Sequence, residues 1–175
     1  MIQAKLKAAI RDVPDFPKPG ILFKDITPIL KDAALCREIV DAFAVGLKDV
    51  KIDVIAGIES RGFLFGLMLA NKLKVPFVPI RKQGKLPFKK IAQPCELEYG
   101  SAILELHEDA ILPGQKVLIH DDLLATGGTV NAATRLVHQL DGVVAGYAFV
   151  ISLDFLKGKE ALKSQTSNII SLISF

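Results

Sequence analysis

Apolar and polar residues alternate along the chain in blocks that predict strands followed by helices. The segment IDVIAGI (residues 52–58) is a short, β-branched apolar run, which is typical of a buried strand. The further predicted elements are, in order, a helix in FLFGLMLANKLK, a strand in VPFVPI, a strand in KVLIH, a helix in TVNAATRLVHQLD, and strands in VVAGYAFVISL and NIISLISF. Strands that alternate with helices favour an α/β fold, with a central parallel sheet flanked by helices.

The segments outside this pattern have other characters. The first sixteen residues predict an amphipathic helix with Ile2, Leu6, Ile10 and Val13 on one side. The stretch PDFPKPGILFKDITPIL is rich in proline, so we expect an ordered loop with short extended pieces. AALCREIVDAFAVGLKD has helical spacing. CELEYGSAILELHE alternates polar and apolar residues around a glycine and predicts a twisted hairpin that stands off the sheet.

Composition limits the classes of protein that fit. The chain has 175 residues, of which 50% are hydrophobic and 23% charged, as expected for one globular domain over residues 1–175. Its apolar runs are too short to cross a bilayer, and the N-terminus lacks the apolar core of a signal peptide, so we expect no membrane partner and a cytoplasmic location. Cys36 and Cys95 have no metal-ligand spacing.

Charge is informative in its distribution. The net charge of +3 is too small to indicate nucleic acid, and we expect no nucleic-acid partner. The stretch RKQGKLPFKK (residues 81–90), however, contains five basic residues and no acidic one. Such a cluster favours binding of an anion.

The stretch VLIHDDLLATGGT (residues 117–129) carries the most specific chemistry. Two acids follow an apolar strand, and a small, hydroxyl-rich turn then leads into a helix. Carboxylates accept hydrogen bonds from vicinal hydroxyls, whereas glycine-rich turns at helix N-termini donate to phosphate. The turn alone is equally typical of a helix N-cap, but the preceding acids favour a site for a ribose 5-phosphate. The lysine of a nucleotide P-loop is missing here, and GxGxxG and HExxH do not occur in the chain.

This stretch resembles the 5-phosphoribosyl-1-pyrophosphate (PRPP) binding motif of type I phosphoribosyltransferases. The flanking stretches, in the order and spacing of the adenine phosphoribosyltransferase family, are FPKPGILFKDITPIL, AGIESRGFLFG, PIRKQGKLP and LEYGSAILELHEDAI. The resemblance covers nearly the whole chain. It implies transfer of the phosphoribosyl group of PRPP to adenine, with release of AMP and pyrophosphate and with Mg²⁺ as cofactor.

The resemblance also assigns residues to the ligand. Asp121 and Asp122 would bind the ribose hydroxyls. The 5-phosphate would be bound by Ala125, Thr126, Gly127, Gly128 and Thr129, and the pyrophosphate by Glu59, Ser60, Arg61, Gly62, Arg81, Lys82 and Lys85. A cis peptide is expected in the ESRG turn, and Mg²⁺ is expected to be held through PRPP and water, with no metal ligand from the protein.

For the base, the resemblance implies contacts from Leu22, Phe23 and Lys24, although Lys24 stands where the family usually has arginine. Arginine would stack as a plane and lysine does not. Glu98 would transfer the proton, and Tyr99 beside it would shield the site from water.

The implied architecture is a type I phosphoribosyltransferase fold with a small hood at about residues 1–34 and a flexible β-hairpin lid at about residues 92–108. A homodimer is implied as well. Two alternatives stay open: a phosphoribosyltransferase for another base, such as a 6-oxopurine or orotate, and a PRPP-sensing regulator without catalysis. His120 is expected to be a buried, hydrogen-bonded histidine that points away from the side of Asp121.

Overall fold

A computed structural model describes residues 1–97 and 100–175 of the chain. The helices are α1 (Ile2–Ala9), α2 (Thr27–Leu30), α3 (Ala33–Gly46), α4 (Gly62–Leu73), α5 (Gly128–Gln139) and α6 (Gly158–Leu162), with a short 3₁₀ turn at Asp154–Leu156. The strands are β1 (Arg11–Pro14), β2 (Leu22–Asp25), β3 (Val54–Ile58), β4 (Phe77–Lys82), β5 (Lys90–Leu97), β6 (Gly100–His107), β7 (Lys116–Leu124), β8 (Val143–Ser152) and β9 (Ile169–Ser174).

The main sheet has the strand order β5-β6-β4-β3-β7-β8-β9. Strands β4, β3, β7, β8 and β9 are parallel, which confirms the predicted parallel sheet. The hairpin β5–β6 is also confirmed, but β6 pairs with β4 through Arg81 opposite Glu105 and Lys82 opposite Leu104. The prediction that the hairpin stands off the sheet is therefore wrong at its base, because this pairing covers the open edge of β4.

Helices cover both faces of the sheet, as predicted. On one face, α4 buries Phe65 and Leu69 in a core shared with α1 and α3. On the other face, α5 buries Leu136 and Val137 against β3, β7 and β8. Strand β3 is buried along its whole length because it has a helix layer on each side, which explains its uninterrupted apolar sequence.

Helix α3 follows its predicted spacing closely. Leu35, Ile39 and Phe43 are buried on one side. Asp32 begins the helix by accepting hydrogen bonds from the backbone N–H groups of Ala34 and Leu35, at 2.9 and 3.0 Å.

The N-terminal helix is shorter than predicted. It ends at Ala9, and the next residues form β1, which pairs antiparallel with β2 so that Val13 lies opposite Phe23. Leu6 and Ile10 are buried as expected. Strand pairing thus overrides the helical pattern after residue 10, and prolines at positions 14 and 17 oppose helix in the same region.

Candidate active site

The parallel sheet reverses its direction of growth between β3 and β7. From β3 the chain passes to β4 on one side, and from β7 it passes to β8 and β9 on the other. Helices α4 and α5, which follow β3 and β7, cover opposite faces. Open α/β sheets bind ligands in the crevice at such a switch point, outside the carboxyl ends of the strands. The segments that leave these two ends are ESRG and the turn at residues 125–129.

The turn between β7 and α5 brings the backbone to the surface of a cavity. Gly127 has a φ of +91°, in the left-handed region that glycine adopts readily. Helix α5 begins at Gly128, so its free N–H groups and partial positive charge lie beside the turn. The cavity has a volume of about 280 Å³. It is lined by Arg61, Glu96, Asp121, Asp122, Leu123, Leu124, Ala125, Thr126, Gly127, Gly128, Thr129 and Val130.

The two acids lie within β7, which continues two residues beyond them to Leu124. Asp122 is 3% exposed and forms an ion pair with Arg61, whose Nε lies 3.0 Å from the Asp122 Oδ2 atom. Burial raises the pKa of Asp122, and the Arg61 charge opposes that shift. Burial, followed by the neighbouring Asp122 charge, raises the pKa of Asp121 well above its ordinary value. Apart from its ion pair with Arg61, the Asp122 Oδ2 atom has no hydrogen-bond partner among the described residues.

His120, the residue before the acids, is fully buried as predicted, with its ring 5.4 Å from that of Phe43. Neither ring nitrogen has a hydrogen-bond partner among the described residues, so the predicted hydrogen bond is wrong. Burial lowers the pKa of His120 to about 4, against a weaker opposing effect of the Ala148 backbone.

The ESRG turn packs directly under the acids. A Cβ atom at Gly62 would lie 2.8 Å from the His120 carbonyl oxygen and 3.0 Å from the Asp121 Oδ1 atom, so this position requires glycine. The peptide bond between Glu59 and Ser60 is cis, as expected. A second cavity of about 260 Å³ adjoins the first here. It is lined by Glu59, Ser60, Arg61, Lys82, Ala102, Leu104, Asp121, Asp122 and Thr129.

Glu59 holds the predicted basic residues together. Its carboxylate pairs with Lys85 and with Arg81, whose Nε lies 3.2 Å from Oε2, and it accepts the backbone N–H of Lys82 at 3.0 Å. Burial would raise the pKa of Glu59, but these three partners outweigh it and lower the pKa to about 2. Of the three basic residues, only Lys82 lines the second cavity.

The three predicted base-binding residues point to two sides of β2. The Phe23 ring lies 4.9 Å from the guanidinium carbon of Arg61. Leu22 and Lys24 lie on the other side, at a third cavity of about 320 Å³. This cavity is lined by Gly20, Ile21, Leu22, Lys24, Leu153, Phe155, Leu156 and Phe175. Its walls are mostly apolar, which suits a flat heterocycle.

Comparison with known proteins agrees with this arrangement. The phosphoribosyl transferase domain family matches residues 27–172. An adenine phosphoribosyltransferase of Acidobacterium capsulatum is 55% identical over 155 residues, covering 89% of this chain and 86% of its own. The chain belongs to the adenine phosphoribosyltransferase family. The crystal structure of the Thermoanaerobacter pseudethanolicus member has a TM-score of 0.95 and 51% identity, with 99% of each chain covered.

A family member from Saccharomyces cerevisiae has been solved with an imino-altritol bisphosphate and adenine; it has a TM-score of 0.90 and 44% identity, with 98% of each chain covered. The type I phosphoribosyltransferase fold that the sequence predicted for this chain is thus confirmed. The predicted catalytic residues Glu98 and Tyr99 lie outside the described residues, and their roles stay predictions.

Some lining residues escaped the sequence-based prediction. Glu96, which was not among the predicted site residues, lines the first cavity. Leu153, Phe155 and Phe175 line the third cavity from segments far along the chain from β2. For Leu153 and Phe155, the sequence did contain a signal: apolar residues in LDFL directly follow a predicted strand, and ligands bind at the ends of such strands.

Proposed function

We propose that the chain transfers the 5-phosphoribosyl group of PRPP to adenine, giving AMP and pyrophosphate in purine salvage. The observation that carries the proposal is the cavity at the switch point, where the half-buried Asp121 carboxylate, the buried Asp122 carboxylate and a glycine-rich helix N-terminus face the same space. In this proposal, Asp121 and Asp122 accept hydrogen bonds from the ribose hydroxyls, and residues 125–129 donate to the 5-phosphate.

Pyrophosphate would occupy the second cavity, beside the ESRG turn. Arg61 and Lys82 line that cavity and supply positive charge. Arg81 and Lys85 are paired with Glu59, so they hold the loop in place and contribute to the field around the leaving group. The exocyclic amine of adenine needs hydrogen-bond acceptors, which the backbone carbonyls of the β2 loop near Leu22 can supply.

Positive charge develops at the anomeric carbon as the bond to pyrophosphate breaks. Mg²⁺ bound to PRPP would neutralise charge on the departing pyrophosphate. Among the described residues there is no cluster of three or more acidic, histidine or cysteine side chains that could hold a metal. We propose that the cation is held through PRPP oxygens and water, without a metal ligand from the protein.

The lid would complete the site. We propose that the hairpin at about residues 92–108 closes over the ligands and that Glu98 relocates the proton of the incoming base while Tyr99 excludes water. A hood of about residues 1–34 would cover the base within one domain that spans residues 1–175. These boundaries follow from the family resemblance and from the β1–β2 sheet beside the third cavity.

We also propose a cytoplasmic homodimer. Helix α4 exposes Leu64, Leu67 and Met68, an apolar surface that a second copy would cover.

Within residues 1–97 and 100–175, every helix falls short of the length and apolarity needed to cross a membrane. The pairing of Arg81 and Lys85 with Glu59 favours a small anion over nucleic acid as the partner of the basic stretch.

Product formation from PRPP with adenine, hypoxanthine, guanine or orotate tests the proposal. We expect AMP formation from adenine to be the fastest reaction. Faster turnover of hypoxanthine or orotate would assign the chain to another base. Binding of PRPP without product from any base would make the chain a PRPP-sensing regulator instead.

A further inference from the structure

Lys24 is held away from the side of β2 that faces Arg61. It lies directly opposite Asp12 in the β1–β2 pair, and its Nζ atom is 2.7 Å from the Asp12 Oδ1 atom. The same ammonium lies 4.0 Å from the centre of the Phe175 ring. Lys24 is only 7% exposed. A buried ammonium depends on such partners, so turning it over a base would cost both contacts.

Phe175 is fixed from the side of the main sheet. Its backbone N–H donates to the Ser152 carbonyl, and its own carbonyl accepts from the Asp154 N–H, both at 2.9 Å. Lys159 adds a clamp, with its Nζ 2.9 Å from Asp154 Oδ1 and 3.1 Å from Ser174 Oγ. The ring of Phe175 therefore has a defined position at the ends of β8 and β9.

The third cavity lies between these two fixed groups. Leu22 and Lys24 belong to its β2 wall, and Leu153 and Phe175 to the opposite wall. Leu153 also donates its N–H to the Leu124 carbonyl at 2.9 Å, and Leu124 lines the first cavity. The wall of the apolar cavity at Leu153 thus lies next to the wall of the cavity proposed for the sugar phosphate at Leu124.

We propose that Phe175 is a binding residue for the purine base and that Lys24 is its positioning residue. The inference rests on the proposed function, because it takes the third cavity as the base site. The Phe175 ring offers a flat apolar wall to a planar heterocycle. Lys24, neutralised by Asp12, holds that ring through its π face and ties β2 to the opposite wall, which sets the width of the cavity.

Steady-state kinetics with each substrate varied in turn, together with calorimetric titration of adenine, tests this inference. Phe175→Ala and Lys24→Met should each raise the KM and the Kd for adenine about tenfold, with little change in the KM for PRPP. Phe175→Tyr keeps the π face and Lys24→Arg keeps the charge, so each should recover most of the adenine affinity that Phe175→Ala and Lys24→Met lose. Lys5→Met, which removes an exposed ion pair with Glu38, is the matched control.

Asp12→Asn gives a second route if Lys24→Met does not fold, because Asp12 is half exposed and its loss should produce the same selective rise in the KM for adenine. Unchanged adenine constants in Phe175→Ala and the Lys24 or Asp12 variant would overturn the inference. A parallel rise for both substrates with a lowered melting temperature would also overturn it, since the contact would then be a structural latch. Wild-type protein that neither binds nor converts adenine would remove the proposed function and this inference together.

Discussion

At the scale of single residues, β7 carries three ionisable side chains in sequence, and burial disfavours the charged form of each. Burial raises the pKa of Asp121 and Asp122 and lowers that of His120. The two acids face a cavity, so a ligand with hydroxyl groups can donate hydrogen bonds to them. His120 instead faces the buried core, where a ligand cannot reach its ring to form a hydrogen bond.

His120 should therefore make the fold sensitive to mild acid. Its pKa is about 4 in the folded chain and about 6.5 when unfolded, so between these values the unfolded chain binds the extra proton. The contribution of His120 to the free energy of unfolding should fall by about 3 kcal/mol as the pH drops from 6.5 towards 4, whereas Asp121 and Asp122, whose pKa values are raised, act in the opposite direction in both the wild type and a His120 variant. Urea unfolding at pH 7 and pH 5 measures this, and His120→Leu should remove most of the decrease.

His138→Gln is the control, because His138 is exposed on α5 and should leave the pH dependence unchanged. Glu59 does not contribute to the pH dependence between pH 5 and pH 7. Because its pKa is lowered to about 2, its stabilising effect is complete above pH 4.5 and is lost only at lower pH. An identical loss of stability in His120→Leu and the wild type would contradict the account of His120.

At the scale of elements, the local spacing of apolar residues predicted those helices and strands whose burial follows directly from that spacing. Helix α3 and strand β3 were predictable because their apolar spacing and burial agree. Helix α1 ended early and the hairpin joined the sheet because both depend on pairing with strands distant in sequence, which periodicity does not encode. For the same reason, the phosphate turn was predictable from its local glycines, whereas Phe175 at the third cavity was not.

The contact between the hairpin and the phosphate turn gives a prediction for one glycine. A Cβ atom at Gly128 would overlap the backbone carbonyl oxygen of Glu96 in β5. Gly128→Ala should therefore displace β5 from the turn. Hydrogen exchange should show faster exchange of the β5 amides in this variant than in the wild type.

Gly127→Ala is the matched control. An added Cβ there meets nothing closer than 3.4 Å, but the residue has a positive φ, so the substitution should cost about 1–2 kcal/mol of stability without moving β5. Equal protection of β5 in Gly128→Ala and the wild type would mean that the hairpin does not depend on this contact.

At the scale of the whole molecule, the strand order creates the site. It sets β3 beside β7, so that ESRG and the phosphate turn, more than sixty residues apart in the chain, share Arg61 and both acids across two adjoining cavities. The parallel sheet was predictable from alternating strands and helices. The adjacency of these two strands was predictable only through the family resemblance, because local sequence does not specify which strands become neighbours.

The central claim is that the two acids and the phosphate turn bind the same PRPP molecule. Calorimetric titration of PRPP into the wild type and Asp122→Asn tests it most directly, with Asp41→Asn as the control because Asp41 forms an exposed ion pair with Lys72. We expect the Kd for PRPP to rise about 10- to 100-fold in Asp122→Asn, since a charged acceptor is lost, and to stay unchanged in the control. Equal affinity of Asp122→Asn and the wild type for PRPP would contradict the claim.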